Sequence, residues 1–233
     1  MSPYLAALIT FLIAIVFLRL MDFLAHRGIV ENRLSRKLIH IGTGPIFVMC
    51  WLMFPDESIS RWLAALVPFV IMSQFALVGF GIIKDAAAVE AMSRTGDRRE
   101  ILRGPLFYGI VFVAMTLIYW KDSPIGIIAL MIMCGGDGIA DIVGRRVKSP
   151  KLAWSGEKSI AGSLSVFVGG LLLTLVIFAI YIGFGAFNDS LTRFILPVTW
   201  VALGAMLVES LPFKDIDNIT ITFACALIGH FVF

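Results

Sequence analysis

Charge is scarce in this chain. Asp, Glu, Lys and Arg supply 15% of its 233 residues and apolar types 59%, whereas an ordinary soluble domain carries about a quarter charged residues. A water-soluble fold of this size has too little interior to hide so much apolar side chain, which excludes water as its only solvent. Cysteine is scarce as well: Cys50, Cys134 and Cys225 each lie inside an apolar run, with no pairing in their spacing. That excludes a disulfide framework and reads as small buried hydrophobes. The formal net charge is only +3, and no basic segment stands apart from the apolar runs to hold a polyanion. No nucleic-acid partner is expected.

What is present is a series of long apolar runs, at 3–20, 38–54, 62–83, 105–120, 124–143, 160–184, 194–208 and 219–233, each bounded by charge, Pro or Gly. Crossing about 30 Å of hydrocarbon takes roughly 20 mainly apolar residues, so the lipid bilayer is the expected solvent. The pattern predicts an all-α fold: a polytopic transmembrane helical bundle of eight spans, with seven as the alternative because the last two runs are short. Residues 1–233 read as one integral membrane domain. The first run has neither a basic leader nor a small-residue cleavage pattern, and is expected to be a retained span.

The loops support that count. Those on one side, together with Arg19 at the end of the first run, hold 16 of the 19 basic residues, Lys214 among them; the other side holds only Arg61, Lys121 and Arg193. Because basic loops stay cytoplasmic, both termini are expected outside and the charged end inside.

Five charged clusters fall at that end. In GGDGIADIVGRR, residues 135–146, Asp137 and Asp141 are four apart and share a helix face. Carboxylates at membrane depth must line a polar cavity, pair with cations such as Arg145, or bind metal. Gly136 and Gly138 allow close approach, either of another helix or of a phosphate. In WSGEKSIAGS, residues 154–163, Lys158 and the hydroxyls of Ser159 and Ser163, with Gly162 between them, form a phosphate cradle at a helix start. The plainer reading makes Ser159 a cap and Lys158 an anchor.

GDRREILRGPLFYG, residues 96–109, offers Arg98 and Arg99 to a triphosphate, with Glu100 placed to fix their geometry. RKLIHIGTG, residues 36–44, puts Lys37 and His40 on one face at the start of the second span. VESLPFKDIDNIT, residues 208–220, contributes Glu209, Asp217 and Asn218, oxygen donors that suit a hard cation such as Mg2+. Capping accounts for Asp217 and Asn218 equally well, but not for Glu209 inside an apolar run.

These motifs in this order, RKLIHIGTG, RREILRGPLFYG, GDGIADIVGRR, GEKSIAGS and VESLPFKDIDNIT, cover 36–220 and resemble the phytol kinase branch of the polyprenol kinase family, which also includes dolichol kinases and CTP-dependent diacylglycerol kinases. The GPLFYG segment is similar to that branch in particular. The resemblance implies transfer of a terminal phosphate, typically from CTP, to the hydroxyl of an isoprenoid alcohol at the membrane surface. No soluble kinase signature accompanies it: there is no GxxxxGK[ST] loop and no HRD or DFG set.

On that implied activity, Asp137, Asp141 and Lys158 are the expected catalytic residues, and Asp137, Asp141, Glu209 and Asp217 the expected Mg2+ ligands. Arg98, Arg99, Gly136, Gly138, Arg145, Ser159, Gly162, Ser163, Lys37 and His40 are expected at the nucleotide phosphates, with Glu100 and Asn218 as further polar groups. The expected location is a bacterial plasma membrane or a photosynthetic membrane. The alternatives are a phosphatidate cytidylyltransferase-like enzyme, a diacylglycerol kinase, and a cation-coupled transporter, which would need ionisable groups near mid-membrane.

Overall fold

The computed structural model describes residues 1–213 and 215–233, so Lys214 lies outside the described residues. The helices are α1 (Pro3–His26), α2 (Asn32–Trp51), α3 (Ser58–Phe80), α4 (Ala86–Met92), α5 (Gly104–Tyr119), α6 (Pro124–Met131), α7 (Gly138–Arg146), α8 (Ile160–Gly183), α9 (Leu191–Glu209) and α10 (Asp217–Val232). A 3-10 turn, Arg98–Leu102, precedes α5, and a π turn, Ile132–Asp137, joins α6 to α7. Among the described residues there is no β-strand, only a single bridge between Lys151 and Ser159.

Local chemistry sets the boundaries. Ser2, Ser123 and Ser159 each accept a backbone N–H of the following helix at its first turn. Pro sits in the first turn of α1, α5 and α6, where its missing donor goes unnoticed. Gly81 ends α3 in the left-handed conformation, φ 79°, beneath the Arg98 guanidinium.

Among the described residues six helical segments are long and apolar enough to cross a membrane: α1, α3, the 3-10 turn with α5, α6 through α7, α8 and α9. The two other expected spans coincide with α2, 20 residues long with Arg33, Arg36 and Lys37 in its opening turns, and with α10, 16 residues long. The central rod is the one from α6 through α7, with 78% of its apolar window buried, against 11% for α1, which faces outward along most of its length.

Lipid tails are as apolar as Leu, so close packing has to hold such a bundle together. A Cβ on Gly136 would stand 2.9 Å from the carbonyl oxygen of Val166 in α8, and one on Gly44 would run into Cys134. At the end away from the charged clusters, Lys121 donates to the Phe54 carbonyl at 2.7 Å and pairs with Asp56 at 2.6 Å. The hydrogen bond and charge of that ammonium hold the Asp56 carboxyl below its ordinary range.

Gly136→Ala should therefore lower stability by about 1–3 kcal/mol, the usual cost of overpacking. Gly183→Ala, where a Cβ meets nothing within 4 Å, should be neutral. Thermal unfolding of the two proteins in detergent micelles measures the difference.

Candidate active site

The charged clusters meet at one end of the bundle, around a cavity of about 900 Å³. Helices running one way end there and those running the other way begin there. Lys37 and His40 come from α2, Asp137 from the π turn, Asp141 and Arg145 from α7, Ser159 and Ser163 from the start of α8, Glu209 from the end of α9, and Asp217 and Asn218 from the start of α10. Seven basic and seven acidic described side chains line this cavity.

Glu209 is the most enclosed carboxylate, 7% exposed. Lys158 Nζ lies 3.2 Å from its Oε1 and also donates to its backbone carbonyl, while Ser163 Oγ donates to Oε2 at 3.0 Å. The same ammonium reaches Asp217 Oδ1 at 3.5 Å. Asp217 lies within electrostatic range of both Glu209 and Asp137. Capping is not the task of these α10 residues: the helix begins after Ile216 with no side-chain cap, and Asn218 Nδ2 donates to the Gly104 carbonyl of α5 at 3.2 Å.

A second group surrounds Asp137 and Asp141. The π turn widens the helical ladder, as such turns do at functional sites, and the Met133 carbonyl accepts from His40 Nε2 at 3.2 Å. A carbonyl only accepts, so the proton is on Nε2, which also faces Asp137 Oδ2 at 3.5 Å. Tyr108 stacks on His40 with ring centroids 4.6 Å apart, and its hydroxyl donates to the His40 carbonyl at 2.7 Å. Asp141 pairs with Arg145 at 2.8 Å and with Lys37 at 3.8 Å. The shared face expected of the two aspartates survives the π turn, since both line the cavity.

Several expected phosphate ligands are elsewhere. Gly136 and Gly138 are packing positions, the first on Val166, the second on Ile41 and His40. Arg98 and Arg99, on the 3-10 turn, line an adjoining groove beside α4 that shares Arg36 and Arg94 with the cavity, and do not line the cavity itself. Arg94 and Arg103 take that place, paired with Asp215 at 3.7 and 2.9 Å. Glu100 lines the cavity but fixes backbone, not arginine geometry: it accepts from the N–H groups of Arg94 and Thr95 and from the Thr95 hydroxyl. Ser159 combines both readings, capping α8 through Gly162 N while lining the cavity.

Arg36, Arg94, Tyr108 and Asp215 are cavity residues that were not singled out from sequence. Asp215, at φ 63° in the left-handed region, is a signal visible only in the backbone.

Among the described residues no three His, Cys, Asp or Glu side chains converge closely enough to hold a metal ion by themselves. The available donors are nonetheless carboxylates, the type Mg2+ takes, and Mg2+ commonly uses only one or two of them beside substrate phosphates.

Beyond the charged mouth the cavity continues as an apolar arm between α1, α2, α3 and α5. Its α2 side is a single helical stripe, His40, Thr43, Phe47 and Cys50. It stops at the level of Thr10, Cys50, Val67 and Phe112. Behind that level Trp51, Phe54 and Trp120 form a packed aromatic block, with the two indoles 5.2 Å apart and Phe47 5.5 Å from Phe112.

Replacing Lys158 with Met should destabilise the protein by about 3–5 kcal/mol, since Glu209 becomes an uncompensated buried charge. Adding Glu209→Gln to Lys158→Met should recover part of that loss. Unfolding midpoints of the single and double variants measure the coupling, and equal midpoints would remove the ion pair from the account.

Among named proteins, the chain is 39% identical over 217 residues to the probable phytol kinase, chloroplastic, of Triticum aestivum, covering 92% of this chain and 72% of that one. It is 38% identical over 230 residues to the farnesol kinase, chloroplastic, of Arabidopsis thaliana, covering 97% and 74%. It is 36% identical over 214 residues to phytol kinase 1, chloroplastic, of the same plant, covering 91% and 70%. No protein-family model matches the chain, and no solved structure is similar to it.

Proposed function

The chain belongs to the phytol kinase branch of the polyprenol kinase family, and from that premise we propose that it is a CTP-dependent kinase of phytol or a related isoprenoid alcohol, working at the cytoplasmic face of a membrane. The observation that carries this reading is the continuity of one cavity from a charged mouth into an apolar arm. A triphosphate needs the first and a prenyl tail the second, and their junction is where an alcohol oxygen and a γ-phosphorus would meet. The relatives' chloroplastic names favour the photosynthetic alternative for the membrane.

In the transfer, a bond forms between the alcohol oxygen and the γ-phosphorus, the bond from that phosphorus to the β-bridging oxygen breaks, and CDP leaves. Such a reaction depends on placement and charge neutralisation more than on covalent participation by the protein. Asp137, at the junction and oriented by His40, orients the alcohol and takes its proton. Lys37, Arg94, Arg103, Arg145 and Lys158 surround the phosphates, with Ser159 and Ser163 as hydroxyl donors. Of the carboxylates Asp141, Glu209 and Asp217, one or two would hold Mg2+ beside the substrate phosphates, and the ion would supply charge neutralisation on the phosphate oxygens when bound.

Purified protein incubated with γ-labelled CTP and a panel of prenols, diacylglycerol and phosphatidate should give labelled prenyl monophosphate. Asp137→Asn should reduce kcat by roughly 10²- to 10⁴-fold, the usual contribution of a positioned acid or base. Pyrophosphate release with phosphatidate would establish the cytidylyltransferase chemistry instead, and label in diacylglycerol the diacylglycerol kinase.

A further inference from the structure

We propose that the closed end of the apolar arm, backed by the aromatic block, is a chain-length gauge, admitting alcohols of up to three or four isoprene units and rejecting longer ones. The inference rests on the proposed kinase reading, since it assumes that the alcohol's hydroxyl lies at Asp137 and His40.

Four helices end the arm at one level, so the stop is a wall and not the tip of a single side chain. Thr10 of α1, Cys50 of α2, Val67 of α3 and Phe112 of α5 line its end. From His40 to Cys50 is ten residues of α2, about 15 Å of helical rise. A fully extended chain advances roughly 3.3–3.6 Å for every three backbone bonds, so an isoprene unit with its four backbone bonds takes roughly 5 Å. Three units reach the wall from the junction. A fourth has to fold into the width of the arm, and a polyprenol of nine units has no room.

The wall is built to be rigid. Trp51 is fully buried, Phe54 is 2% exposed and Trp120 4% exposed, and the Trp120 ring contacts both of the others. Trp120 stands at φ 45°, a conformation that strains a bulky side chain and persists only where its surroundings hold it. Among the described residues, Trp51 Nε1 is the buried side-chain donor without a partner. Strain and an unsatisfied donor in one block are the kind of local cost that a positional function explains.

The shape of the selectivity follows from the solvent. The arm competes with lipid for the prenyl tail, and lipid is as apolar as the arm, so filling it contributes little affinity. Discrimination comes from exclusion of long chains. The profile is then a plateau with an upper cutoff, not a peak at one length.

The test compares kcat/KM for geraniol, farnesol, geranylgeraniol and a nine-unit polyprenol, each referred to its concentration in the micelle, with CTP as donor. The expected profile is similar values for the first three and at least a tenfold fall for the last. Ala14 lines the arm four residues of α1 short of Thr10, about 6 Å of rise. Ala14→Phe should therefore lower the cutoff by about one unit, changing the geraniol to geranylgeraniol ratio by at least tenfold. Phe112→Leu, which thins the wall, should move the cutoff the other way, so the gauge remains testable if Ala14→Phe does not fold. Equal use of the nine-unit polyprenol by the unaltered protein, or variants that scale all lengths alike, would overturn the gauge and leave the kinase standing. Absence of label in every alcohol would overturn the kinase, and the gauge with it.

Discussion

A charge inside a membrane protein has to be compensated where it lies, and in this bundle the compensation is made between helices. Lys158, at the approach to α8, reaches Glu209 at the end of α9 and Asp217 at the start of α10. His40 of α2 faces Asp137 of the π turn, and Lys37 of the same helix faces Asp141 of α7. Arg103, just before α5, holds Asp215 in the strand of chain that leads to α10. None of the helices joined by these pairs can slide or rotate without separating an ion from its partner. For the enclosed pair, Lys158 with Glu209, stranding the charge costs several kcal/mol, so this pair does most to fix the register of the charged end.

The apolar part of the bundle has a different task. With lipid outside, burial of Leu or Phe between helices supplies little net drive, so contact quality decides the packing. The central rod answers that requirement with small residues at its crossings: Gly136 lies against the α8 backbone, and Cys134 fits over Gly44. The π turn lies in the same stretch, so close packing supports the segment that presents Asp137. Rigidity there is useful to a site whose chemistry depends on placement.

The sequence was most informative where a strong pattern constrained the geometry. Asp137 and Asp141, four apart in an apolar run, had to share a face, and the alternation of basic loops placed Lys158, Glu209 and Asp217 at the same end as that pair. It was uninformative where backbone shape decided. Arg98 and Arg99 precede α5 much as Arg103 does, yet the first two, on the 3-10 turn, line the adjoining groove while Arg103 joins the cavity. The glycines at 136 and 138 carried two readings, and packing took them because Val166 and Ile41 occupy the space a phosphate would need. The apolar arm was invisible for a simpler reason: Ala14, Phe47, Cys50 and Phe112 are the residue types that fill any membrane helix.

The balance of charge at the mouth has a consequence for how a nucleotide binds there. Lys158, Lys37, Arg103 and Arg145 already have carboxylate partners. On the proposed function, the triphosphate does not meet free cations; it competes with resident carboxylates, and its affinity is the difference between two sets of ion pairs. A nucleotide without a metal ion would displace Glu209, Asp217 and Asp141 and leave them unpaired at membrane depth, which is costly. A magnesium nucleotide offers those carboxylates a new cation as it takes their old one, so charge is conserved locally throughout the exchange. On that same reading the mixed mouth would favour the metal complex over the bare nucleotide, a discrimination that a purely basic site could not make.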